Sequence, residues 1–68
     1  MELTLGELVD RLSITNLKMW HIEEKLQDPS IDMKTKGKLC EDIVKLNTLR
    51  NKYIEAIDEK FISIKDKI

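Results

Sequence analysis

Leu46-Asn47-Thr48-Leu49-Arg50-Asn51-Lys52-Tyr53-Ile54 decides how this chain is read. It sits inside a longer series, Leu39, Ile43, Leu46, Arg50, Tyr53, Ile57, Phe61 and Ile64, whose steps are threes and fours. That spacing puts one face of a helix toward a neighbour. Arg50 interrupts the apolar face where a leucine would be expected, and Asn47 stands beside it. The polar break is therefore where function is sought.

Working back from that stretch, Asp28-Pro29-Ser30-Ile31-Asp32 reads as a turn. Proline disfavours helical geometry in the residue before it and cannot continue helical hydrogen bonding. Asp32 is placed to cap a second helix, expected from Met33 to about Lys65. Gly37 lies in its first turns and costs about 1 kcal/mol relative to alanine. Upstream, Thr4-Leu5-Gly6-Glu7 has the spacing of a capping box. It predicts a first helix over about 5–27, with an apolar stripe of Leu5, Leu8, Leu12, Thr15, Met19, Ile22 and Leu26. Val9, Asn16 and Trp20 form the shoulder of that stripe.

A short turn makes consecutive helices antiparallel neighbours. The expected fold is all-α: a single domain, 1–68, forming a two-helix antiparallel hairpin that assembles into an oligomeric helical bundle. With the turn centred near residue 30, Leu3 would lie opposite Ile57, and Arg50 opposite Asp10 to Leu12. Phe61, Ile62, Ile64 and Ile68 would then project past the first helix. Leu3, Ile14 and Leu17 make a second apolar patch away from the main stripe. Uncovered apolar patches on both helices predict a partner, here another copy of the chain. Size argues the same way, since a chain of 68 residues gains little stability from a single core.

Composition excludes several classes. The net charge is −1, unlike the strongly basic surface of a nucleic-acid-binding domain. No apolar run is long enough to span a bilayer. The first residues lack the basic-then-apolar pattern of a signal peptide. One cysteine and one histidine give neither an internal disulfide nor an ordinary four-ligand zinc site, so no metal and no cofactor is expected. A lone cysteine fits a reducing, cytoplasmic setting.

Trp20-His21-Ile22-Glu23-Glu24, the turn Asp28-Pro29-Ser30-Ile31-Asp32, then Asn47, Arg50 and Ile57-Asp58 resemble an uncharacterised bacterial helical family. The resemblance spans about residues 20–61. Members of that family are usually longer, and their genes often lie near sugar-transferase genes. The resemblance implies the hairpin and supplies no chemistry. Gly6-Glu7-Leu8-Val9-Asp10 is also similar to small bacteriophage proteins. By architecture alone, the hairpin looks like the phage proteins that sequester cyclic-nucleotide immune signals, which implies immune evasion.

The candidate site follows from the polar residues on or beside the inward faces. Arg50 requires a carboxylate, carbonyls or a bound anion, because a buried unpaired guanidinium is costly. Glu7, Glu55 and, less directly, Asp10 are candidate carboxylates within one chain; a neighbouring subunit is another source. Asn16, Thr15 and Asn47 either fix the helix register or read a ligand edge, with Asn51 and Thr48 on the flank. Trp20 either packs on Cys40 or Ile43 or stacks on a base, and Tyr53 has the same ambiguity. Cys40 is expected in the core, and His21 in solvent. Lys34, Lys36, Lys38 and Lys45 form a solvated face. Arg11, Lys18 and Arg50 are the cations an electrostatic enzyme would use, but no chorismate mutase motif, nucleophile–base pair or carboxylate pair accompanies them.

The expectation is a non-enzymatic oligomeric binding module. Arg50, Asn47, Asn51, Asn16, Trp20 and Tyr53 would hold a small anionic, nucleotide-like ligand in clefts between subunits. The alternative is a protein–protein assembly module without a small ligand.

Overall fold

The computed structural model describes residues 2–67, with side chains through Lys65. Two helices account for nearly all of it: α1, Leu5–Leu26, and α2, Met33–Lys67. Both start where the sequence places them; α1 ends one residue earlier than expected and α2 ends two later. Ile68 lies outside the described residues.

Local chemistry accounts for these boundaries. The Glu7 amide donates to Thr4 Oγ1, and the Thr4 amide donates to Glu7 Oε1, each at 3.1 Å. Two backbone donors that a helix start leaves without partners are thus satisfied reciprocally. In the turn, Asp28 Oδ1 accepts from the Ser30 amide at 2.9 Å and from its hydroxyl at 2.7 Å. Asp32 Oδ1 accepts from the Thr35 amide at 2.9 Å and so caps α2. These bonds hold all three carboxyls below their ordinary acid range. For Glu7 and Asp28 the backbone amides of Thr4 and Ser30 act first; for Asp32 the Thr35 side chain does.

The helices pair along one stripe each. Leu8 is fully buried, Tyr53 is 7% exposed and Thr15 4%; Leu5, Leu12, Met19, Ile22 and Leu26 of α1 are half-buried around them. Thr15 is accommodated because its hydroxyl donates to the Arg11 carbonyl at 2.8 Å. From α2, Leu39, Ile43, Leu46, Arg50 and Ile57 face this stripe, half-buried.

The polar contact that joins the helices at Arg50 is made by Asn16, not by Asp10. Side chains lean toward the start of their own helix, so in an antiparallel pair Arg50 and Asn16 reach toward each other across roughly a turn. The first turns of α2, residues 33–38, are exposed throughout, Met33 by 84%. Cys40 follows directly after Leu39, the first half-buried residue of α2. It is exposed, which corrects its expected place in the core. At the other end, Phe61, Ile62 and Ile64 remain exposed, because α1 has no further turns to cover them.

The molecule measures 54 × 15 × 14 Å, which is α2 at roughly 52 Å with α1 alongside. Its accessible surface is 5517 Å². A compact monomer of 8.0 kDa exposes about 4,450 Å², so the hairpin leaves roughly 1,000 Å² more in water.

Candidate functional site

The polar break in α2 is filled by a side chain of α1. Arg50 Nε donates to Asn16 Oδ1 at 2.9 Å, the one side-chain hydrogen bond joining the two helices among the described residues. Arg50 is half-buried and Asn16 exposed, so the pair sits at the rim of the helix interface. Neither Glu7, Asp10 nor Glu55 forms an ion pair with it; His21 Nδ1 lies 3.7 Å from Glu24 Oε2, well away on α1. Asn16 is neutral, so it orients the guanidinium and leaves its charge uncompensated. The terminal nitrogens make no hydrogen bond among the described residues, which leaves their donors to spare.

Helix geometry defines what shares this flank. On α1, Val9 and Trp20 lie seven residues before and four after Asn16; on α2, Asn47, Ile54, Asp58 and Phe61 lie on the Arg50 row. Val9 is 48% exposed, Trp20 53% and Phe61 57%. The Trp20 ring lies tilted against His21, with centroids 5.3 Å apart, and its place on the stripe's shoulder leaves about half of it in solvent. Asn47 is exposed rather than inward-facing, and Asn51, expected on the flank, is exposed as well.

Tyr53 is on the other side of the hairpin. With Leu49 it floors an open groove of about 350 Å³ whose α1 wall carries Asp10, Arg11, Ile14 and Lys18. The six expected site residues thus do not converge within one chain. Arg50 and Asn16 meet, Trp20 and Asn47 border them, Asn51 faces solvent and Tyr53 belongs to the opposite flank. The sequence does carry a signal for the Arg50–Asn16 pairing: both residues interrupt or border their stripes, and side chains on antiparallel helices lean toward each other by roughly a turn.

The described residues contain no cluster of three or more metal-ligating side chains and no helix long and apolar enough to cross a membrane. Compared with known protein families, curated proteins and solved structures, the chain matches none.

Proposed function

We propose that the hairpin is a non-enzymatic assembly module that works as a homo-oligomer. One observation carries this reading. Among the described residues, the hydrophobic core consists of Leu8 and Tyr53, whereas Val9, Ile14, Leu17, Trp20, Val44, Phe61, Ile62 and Ile64 are all at least 44% exposed. More large apolar side chains face water than are buried, the reverse of a stable monomer and the usual mark of an interface. The test is thermal unfolding over a hundredfold range of protein concentration. Assembly raises the midpoint with concentration; a midpoint independent of concentration would overturn the reading.

A second reading keeps a small anionic, nucleotide-like ligand in a cleft between copies. The observation favouring it is the Arg50 guanidinium, oriented by Asn16 and pairing with no carboxylate among the described residues. Guanidinium groups with spare parallel donors suit phosphates. Native mass spectrometry of the protein with cyclic oligonucleotides and ADP-ribose derivatives tests it. Binding that disappears in Arg50→Ala while the assembly persists supports it; no binding by the wild type removes it.

A further inference from the structure

We infer that a second copy of this chain docks antiparallel along α2, about a two-fold axis at Ile54, so that Arg50 of each copy meets Asp58 of the other. This rests on the assembly reading and specifies its interface.

The first support is the symmetry of charge along α2. Arg50 and Asp58 lie four residues to either side of Ile54 on the same helical row. In an antiparallel pair centred on Ile54, each residue faces its mirror position, so cation meets anion twice. A two-fold interface must be self-complementary in this way. The arrangement supplies the carboxylate that Arg50 lacks among the described residues, and Asn16 already holds the guanidinium at the rim where it would be presented.

The second support is independent of charge. The Arg50–Asn16 contact puts Asn16, and with it Trp20 one turn further on, on the Arg50 flank of the hairpin. Trp20 lies toward the start of α2 from Arg50, so the two-fold axis carries it past Asp58 to the far end of the partner's α2. There Phe61 is 57% and Ile62 60% exposed, while Trp20 itself is 53% exposed. The exposed indole of one copy and the exposed end of the other copy's α2 thus arrive on the same flank. The mirror position of Ile64 is Val44, 65% exposed, and that of Ile54 is Ile54 itself. The overlap runs from Glu41 to Lys67, roughly 40 Å of helix. Over that length, a hairpin 15 Å wide is wide enough to reach the ~800 Å² per partner typical of a stable interface.

Charge exchange tests the arrangement. Arg50→Asp and Asp58→Arg each place like charges opposite one another twice per dimer, and each is expected to raise the dimer dissociation constant at least tenfold in sedimentation equilibrium. The double variant Arg50→Asp/Asp58→Arg restores both pairs and is expected within threefold of wild type. Within one chain these residues are eight apart, about 12 Å along the helix, so rescue must act between copies. Circular dichroism confirms that each variant keeps its helices. The one tryptophan gives a second readout: on dilution to monomer, Trp20 emission shifts to the red. A double variant as weak as the single ones, or an unchanged emission while the mass halves, overturns this arrangement. A wild type that stays dimeric in those cases leaves the assembly reading standing, whereas a monomeric wild type overturns both.

Discussion

Replacing Leu8 by alanine tests the packing more sharply than any other single change. Leu8 is the one fully buried large side chain among the described residues. It sits on the stripe of α1 that packs against α2. Truncation removes three carbons' worth of burial, about 2.4 kcal/mol at ~0.8 kcal/mol per methylene, and leaves a cavity that raises the loss to about 3–4 kcal/mol. A chain of 68 residues has a total stability of roughly 3–10 kcal/mol, so the variant loses between a third and all of it. The matched control is Leu17→Ala. Leu17 is 58% exposed and on the outer side of the same helix, and alanine is also the better helix former, so its cost is expected below about 0.5 kcal/mol. The assay is urea unfolding followed by helical circular dichroism, with both variants at one protein concentration because assembly couples midpoint to concentration. Equal losses at Leu8 and Leu17 would refute the reasoning, since they would mean that both faces of α1 are equally covered.

Three further outcomes follow from local structure. Gly37 is helical with ordinary backbone angles and open space around its missing Cβ, so Gly37→Ala is expected to stabilise by about 0.5–1 kcal/mol in the same urea assay. Thr4→Ala removes the acceptor of the Glu7 amide and is expected to cost about 1 kcal/mol, seen as reduced helicity and a lower urea midpoint. Glu7, Asp28 and Asp32 are held below their ordinary values of 4.5, 3.8 and 3.8 by the hydrogen bonds they accept. The unfolded chain therefore takes up these protons first as pH falls. Stability they contribute is complete above about pH 5 and is lost as pH falls through 4 and below; a thermal midpoint that rises on acidification from pH 5 to pH 3 would contradict this.

The fold was legible because its signals are local. The three-and-four spacing from Leu5 to Leu26 marks the buried stripe of α1 residue by residue, Thr4 and Glu7 mark its start, and Asp28-Pro29 its end. In α2 the same spacing identifies the inward face, Arg50 included. The site was less legible because it depends on register, and register depends on how the turn stacks one helix against the other. Placing the turn centre at residue 30 set Arg50 against Asp10 to Leu12, but side chains of antiparallel helices lean toward one another, and Arg50 reaches Asn16 instead. Trp20 and Tyr53 show a second difficulty. Tyr53 lies on the buried stripe and Trp20 on its shoulder, and spacing alone does not say which flank a neighbouring molecule covers.

That the hairpin's uncovered flank is an interface between copies is the claim on which the functional reading stands. Sedimentation equilibrium of the wild-type protein at micromolar concentration tests it most directly. The account predicts a particle of twice 8.0 kDa that dissociates on dilution; a folded, cooperatively unfolding particle of 8.0 kDa at every concentration would contradict it.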